Sequence, residues 1–405
     1  MDPDATDGAQ QPSLPWVAPR VWAAGGWLRE QVYDEGDGYF AALLDAVAAA
    51  RHAVDLEAYI YRDDVLGRRV ADALMDAARR GVRVRIMVDG FGSPGFAARF
   101  GPRLREAGVE ARVHNPLPER FLLRHLPHSP PLRRLVWLFF RINRRNHRKV
   151  CVVDGRTAFV GSMNIAACHL REARGPHSWR DNGIRVDGPD VARLTWAFER
   201  TWHQAWPLGE PTRSRRRILT PPGAAGSRSL VRLALPGRPR RRLYRDLLRR
   251  MDAARRRIWV TSPYFVPRTG ALRALMAAAR RGVDVRILIP RKPDVRLAHL
   301  TASLFRRPLL HAGVRIFEYM PSVLHAKTLL IDDWATVGSS NFNHRSLIHD
   351  LEVDIVVASP PGRLALELQF QRDLERAEEI TYVPWHQRWV ELLVGRLLLM
   401  FRHWI

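Results

Sequence analysis

Cysteine is almost missing from the 405 residues: Cys151 and Cys168 are the two. They lie in or beside an apolar, strand-like run and lack the spacing of a disulfide framework, so a stapled secreted module is excluded and a reducing compartment is expected. Long hydrophobic runs are missing too. No stretch reaches the ~18 uninterrupted apolar residues that a spanning helix needs, so membrane association is expected to be peripheral. The opening MDPDATDGAQQPSLPW has no basic start followed by an apolar core. It argues against a secretory signal, and residues 1–20 are expected to be disordered. Acidic residues are scarce, 41 against 65 Lys and Arg, for a formal net charge of +24 at pH 7. That imbalance suits a polyanion, either nucleic acid or the anionic face of a bilayer, and does not by itself choose between them.

What is present is repetition. The string ALMDAARRGVRVRIMVDG at Ala73 to Gly90 returns as ALMAAARRGVDVRILIPR at Ala274 to Arg291. In each copy apolar residues recur at helical spacing, Gly81 or Gly282 closes the helix, and the next residues alternate like a strand. Upstream of each copy lies another strand candidate, AVDLEAYIY ending at Tyr61 and RIWVTSPYFV ending at Val266. Downstream, GVEARVH and GVRIFEY supply one more. Strands alternating with helices predict an α/β chain of two similar halves, each a mostly parallel sheet flanked by helices. The halves are expected at 21–208 and 230–380. The Pro-, Gly- and Arg-rich stretch 209–229 reads as a linker and 381–405 as an amphipathic helix. Gly90-Phe-Gly-Ser-Pro-Gly95 matches a dinucleotide-binding pattern, but Pro94 inside the turn and IPRKPD at the equivalent place argue for a plain strand-to-helix turn.

The chemistry concentrates in two strings. Asn146-His147-Arg-Lys149-Val-Cys-Val-Val-Asp154 is followed by Gly161-Ser162-Met-Asn164, and Leu324-His325-Ala-Lys327-Thr-Leu-Leu-Ile-Asp332 by Gly338-Ser339-Ser-Asn341. Residues two apart on a strand share a face, so each His and its Lys reach one site. A neutral imidazole can attack phosphorus and a protonated one can serve the leaving alcohol. Lys149 and Lys327 suit the non-bridging phosphoryl oxygens, with Asn164, Asn341, Ser162 and Ser339 as further donors. A carboxylate near a phosphate is repulsive unless it orients a base or pairs with a cation, so Asp154 and Asp332 are expected to support the site rather than attack. Asp181 in WRDNGIRV and Glu352 in HDLEVDIVV follow their motifs at comparable places and are expected to orient a catalytic imidazole.

Two copies of His-x-Lys-x4-Asp with a trailing Gly-Ser-x-Asn resemble the phospholipase D superfamily. Within it, RRNHRKVCVVDGRTAFVGSMNIA, SPYFVP and the ARRGVxVRI strings are most similar to bacterial cardiolipin synthases lacking amino-terminal spanning helices. The resemblance implies two halves meeting at one site, no metal or other cofactor, and a ping-pong reaction with His147 as nucleophile and His325 as acid and base. The chain departs where that family often has Asn-Leu-Asp-Pro-Arg-Ser and this sequence has Asn341-Phe-Asn343-His344-Arg345-Ser346, which bears on the acceptor.

Before the first motif, Trp137, Phe139 and Phe140 are interleaved with Arg133, Arg134, Arg141 and Arg144; at the carboxyl end Trp385, Trp389 and Trp404 stand with Arg396 and Arg402. Both patterns suit the interface of an anionic phospholipid membrane, and bulky apolar residues beside the site favour lipid over nucleic acid. The leading expectation is a peripheral enzyme on the cytoplasmic face of a bacterial membrane that makes cardiolipin and glycerol from two phosphatidylglycerols. The alternatives are a phospholipase D that hydrolyses phospholipids, a nuclease using the same two His, and a non-catalytic membrane scaffold.

Overall fold

The computed structural model describes residues 27–116, 143–208 and 229–382. The aromatic and basic segment over 117–142, the expected linker at 209–228, the expected disordered start and the terminal stretch 383–405 lie outside the described residues. Among those described, no helix is long and apolar enough to cross a membrane.

The repeat becomes two sheets of eight strands with one topology. In the first, strands run in the order β1 (Arg29–Tyr33), β7 (Gly183–Asp187), β6 (Thr157–Gly161), β5 (Val150–Val153), β2 (Ala53–Ala58), β3 (Arg83–Asp89), β4 (Glu110–His114) and β8 (Trp206–Pro207). The second repeats that order with β9 (Val231–Ala234), β15 (Glu352–Val357), β14 (Trp334–Gly338), β13 (Thr328–Ile331), β10 (Arg257–Thr261), β11 (Asp284–Pro290), β12 (Arg315–Tyr319) and β16 (Ala377–Glu379). The α/β architecture in two halves is as the sequence implies, but the sheets are mixed rather than mostly parallel. Only β2-β3-β4 and β10-β11-β12 pair in parallel. The reason is local: a hairpin of two or three residues, such as Asp332-Asp333 or Asp154-Gly155-Arg156, can join only antiparallel strands, whereas a parallel pair needs a crossover helix. The strands after each His-x-Lys motif are joined by such hairpins.

The crossover helices show why the repeated string folds as it does. Helix α2 (Val65–Arg79) begins where the Asp64 carboxylate accepts the backbone N–H groups of Leu66 and Gly67 at 3.1 and 3.0 Å, a cap stabilising by about 1 kcal/mol. Its buried Leu66, Val70, Leu74 and Ala77 form one stripe facing the sheet, and Gly81 ends it at φ +88°. The matching helix over Thr269–Arg280 buries Ala271, Leu275 and Ala278 and is followed by Gly282 at φ +87°.

The sheets pack face to face. One apolar cluster contains Val160, Ile184 and Val186 of the first half with Leu330, Val337 and Ile355 of the second. Burying side chains of this size is worth about 1.5–3 kcal/mol each, so the halves share a core and hold each other in register. Separate clusters lie between each sheet and its outer helices.

Candidate active site

Register across this shared core brings the two motifs together. Asn146 bridges to Leu351 and Leu324 to Arg180, and the two bridges are equivalents of one another because Asn146 and Leu324 each precede the motif His. The His147 amide donates to the Leu351 carbonyl at 3.0 Å and the His325 amide to the Arg180 carbonyl at 2.8 Å. Each motif thus starts beside the residue that precedes the other half's acidic side chain.

The carboxylates consequently cross over. His147 Nδ1 lies 3.0 Å from both Oε1 and Oε2 of Glu352, and His325 Nδ1 lies 3.1 Å from Oδ1 of Asp181. A carboxylate on Nδ1 puts the proton there and leaves Nε2 for chemistry. Lys149 Nζ donates to the His147 carbonyl at 2.7 Å and Lys327 Nζ to the His325 carbonyl at 2.6 Å; Lys327 Nζ is also 3.0 Å from His325 Nε2. Tyr59 meets the His147 ring edge-on at 4.8 Å, while Trp179 and Tyr264 stand 5.4 and 6.3 Å from His325.

Burial sets the electrostatics. It lowers the Lys149 pKa to about 7 and that of Lys327 to about 8, against the pull of both carboxylates on each ammonium. Burial and then the Lys149 charge push His147 well below the usual imidazole range. Burial and Lys327 push His325 down as well, with Asp181 opposing. Asp181 is held well below the usual carboxylate range because its His325 and His169 neighbours outweigh its burial. Burial raises Glu352 despite Lys149 and two hydroxyl donors. Mutual influence among Lys149, Lys327, His147 and His325 makes this one cluster of charge rather than two.

Several expected site residues stand elsewhere. Asp154 and Asp332 do not reach the imidazoles. Each lies at the far end of a four-residue strand from its Lys, about 3.3 Å per residue along an extended chain. The Asp154 carboxylate accepts the amides of Arg51, His52 and Ala53 at 3.0, 2.7 and 2.9 Å, and Asp332 those of Arg255, Arg256 and Arg257 at 3.0, 2.9 and 3.0 Å. They pin a hairpin to the start of the neighbouring strand, with φ of +51° and +48° at the turn. Ser162 and Ser339 lie at the site but face its carboxylates. Ser162 Oγ donates to Asp181, and Ser339 Oγ to Glu352 Oε2 at 2.5 Å. Asn164 Oδ1 accepts the Ile60 amide at 3.2 Å, whereas Asn341 Oδ1 is buried without a hydrogen-bond partner among the described residues. Asn343, where a carboxylate is missing, caps a short helix (His344–Ile348) by accepting the Ser346 amide at 2.9 Å, a task Asn performs as well as Asp.

Residues not singled out from the sequence include Tyr59, Trp179, Tyr264, His169 and Ser346. The two tyrosines were visible near the ends of repeated strands; Ser346 matched the last residue of the family's Asn-Leu-Asp-Pro-Arg-Ser string, and His169 carried no signal beyond lying five residues after the motif Asn, as Ser346 does in its half. The glycine-rich turn holds no ligand-binding pattern of its own: the amides of Phe91 and Gly92 go to Asp89 Oδ1.

Similarity to known proteins agrees with this geometry. The family model described as "Cardiolipin synthase, PLD-like domain" matches residues 43–202 and 247–376. The chain is 34% identical over 368 residues to cardiolipin synthase A of Pseudomonas aeruginosa, covering 90% of this chain and 70% of that one. Against the Pseudomonas putida cardiolipin synthase A the identity is 33% over 349 residues, covering 85% and 68%. The fold matches a solved phosphatidylserine synthase of Haemophilus influenzae with a TM-score of 0.67 at 12% identity over 92% of each chain, a likeness of fold alone.

Proposed function

The chain belongs to the family of PLD-like cardiolipin synthases, and from that premise we propose that it transfers a phosphatidyl group from one phosphatidylglycerol to the hydroxyl of another, giving cardiolipin and glycerol. The observation that carries the reading is the crossed pair of imidazoles, His147 on Glu352 and His325 on Asp181. Two oriented His with two ammonium groups match the demands of a double displacement at phosphorus.

In this mechanism His147 Nε2 attacks phosphorus as the bond to the glycerol oxygen breaks. The lowered His147 pKa keeps the lone pair available. His325, which the charge of the bound phosphate together with Asp181 would keep as the imidazolium, gives its Nε2 proton to the departing oxygen, and glycerol leaves. Lys149 and Lys327, with the side-chain amides of Asn164 and Asn341, take the non-bridging oxygens, so charge is met by groups already in place. The hydroxyl of the second lipid then returns a proton to His325 and attacks the phosphohistidine, breaking the P–N bond and freeing His147. The basic surface and the segments around Trp137 and Trp389 would bring the enzyme to an anionic bilayer on the cytoplasmic side.

Incubation of the purified protein with phosphatidylglycerol vesicles tests this directly. Cardiolipin and glycerol from wild type and neither from His147→Ala nor His325→Ala is the expected result. Phosphatidic acid alone would mean that water is the acceptor, and no lipid turnover would overturn the reading.

A further inference from the structure

The two orienting carboxylates are held by different residues at one equivalent position. Five residues after the motif Asn, the first half has His169 and the second has Ser346. The Asn341 amide donates to Ser346 Oγ at 3.2 Å, and that hydroxyl donates to Glu352 Oε1 at 2.6 Å. The Asn164 amide donates to His169 Nε2 at 3.1 Å, and His169 Nδ1 lies 2.7 Å from Asp181 Oδ2, oblique to the ring. Both sides therefore run from a motif amide through a bridging side chain to a carboxylate, and then across to the imidazole of the other half.

The ring thus takes a backbone amide on Nε2 and sets Nδ1 against the Asp181 carboxylate, too oblique for a hydrogen bond, at the place that Ser346 fills in the second half. His169 is 1% exposed, and its ring stands 5.5 Å from Trp179, which itself flanks His325. Its backbone is fixed from behind: a Cβ on Gly36 would fall 2.2 Å from the His169 carbonyl oxygen, so only glycine lets the first helix close on it. With the Asn164 amide aimed at Nε2, the ring is the Nδ1–H tautomer. Burial opposes a second proton and Asp181 favours one, while the Asn164 amide on Nε2 favours the singly protonated ring. Nδ1–H faces Asp181 in both forms.

We propose that His169 is a positioning residue that acts through Asp181 on His325, so that the acid and base imidazole is held by a ring while His147 is held through a hydroxyl. The kinetic part of this inference rests on the phosphatidyl transfer proposed above; the structural part does not. If His169 serves the proton donor, its loss matters in the first half-reaction only when the leaving group needs a proton.

The test compares first-turnover glycerol release from phosphatidylglycerol with the first-turnover burst of p-nitrophenol from phosphatidyl-p-nitrophenol, in mixed vesicles, for wild type, His169→Ala and His169→Asn, whose amide can still donate to Asp181. His169→Ala is expected to slow glycerol release about 100-fold, the upper range for loss of an orienting partner, and p-nitrophenol release less than about 5-fold, with His169→Asn recovering most of the loss. Equal loss on both substrates, or no recovery with Asn despite an unchanged melting temperature, would overturn the proposal. The low-field Nδ1–H resonance of His325 in the resting full-length protein gives a reading independent of turnover. It should move in His169→Ala and stay in Ser346→Ala; an unmoved resonance in His169→Ala would overturn the proposal even if wild type turned over neither lipid.

Discussion

The two halves share a topology strand for strand, yet what backs their catalytic strings differs. In the first half the residue between His147 and Lys149 is Arg148, 1% exposed, and it lies 3.1 Å from the equally buried Glu57 and donates to Asn146 Oδ1 at 3.1 Å. In the second half the corresponding residues are Ala326 and Thr261, neither of which carries a charge. The carboxylate support differs too, with His169 in one half and Ser346 in the other. A repeated fold can therefore hold the reacting groups in matched places while letting the packing behind each diverge. Specialisation needs only a change in what each imidazole leans on, because orientation and charge are set by its neighbours.

The comparison breaks most sharply at the imidazoles themselves. His147→Ala should lower turnover by about 10⁴-fold or more with either leaving group, since removal of a nucleophile is not bypassed. His325→Ala should retain a substantial first-turnover burst of p-nitrophenol. Equal loss in both variants, measured on phosphatidyl-p-nitrophenol, would return the two His to equivalence.

Next in size is a stability effect confined to the first half. Arg148→Ala leaves Glu57 buried and uncompensated and should destabilise the protein by about 3–5 kcal/mol in urea unfolding. Combining it with Glu57→Thr, which installs the second half's own pair, should restore most of that. A double variant no more stable than the single would mean that the ion pair is not what separates the halves.

The crossing of carboxylates predicts a loss of about 100-fold in glycerol release for Asp181→Ala. That loss should be non-additive with His325→Ala and not with His147→Ala. Coupling to His147 instead would show that each half orients its own imidazole.

A smaller effect follows from the two ammonium groups. Lys149 at about 7 and Lys327 at about 8 must carry their protons to receive phosphate, so kcat/KM should fall roughly ten-fold as pH rises from 7 to 8. A flat profile over that range would show that the free enzyme keeps both charged.

The smallest effect should be equal in the two halves. Asp154→Ala and Asp332→Ala each remove a carboxylate from three amides and should cost about 1 kcal/mol with turnover within about two-fold of wild type. Burial opposes the charge of each carboxylate, but the backbone amides hold its pKa below the ordinary value. The stabilisation is therefore present above the unfolded carboxylate range and lost as pH falls through the folded value. Urea melts should show the gap between wild type and Asp154→Ala at pH 7 and its narrowing as pH falls below the ordinary carboxylate range. A large loss of activity in either variant would put these residues back in the site.

The sequence by itself determined the repeat, the α/β class and the identity of the reacting groups, because those depend on local periodicity and on residues two apart along a strand. His147 and Lys149, or His325 and Lys327, face one site by strand geometry alone. It also carried Asp181 and Glu352 as partners for imidazoles. Which imidazole each serves was decided by tertiary structure, since the pairing across Asn146–Leu351 and Leu324–Arg180 exists only once the two sheets share a core. The same holds for Asp154 and Asp332, grouped with the catalytic string by spacing but carried to the far end of the strand by its length. The roles of His169 and Ser346 were illegible for a related reason. They come from long-range contact with a carboxylate and not from any local pattern, and a buried polar side chain declares its partner only when the chain around it has folded.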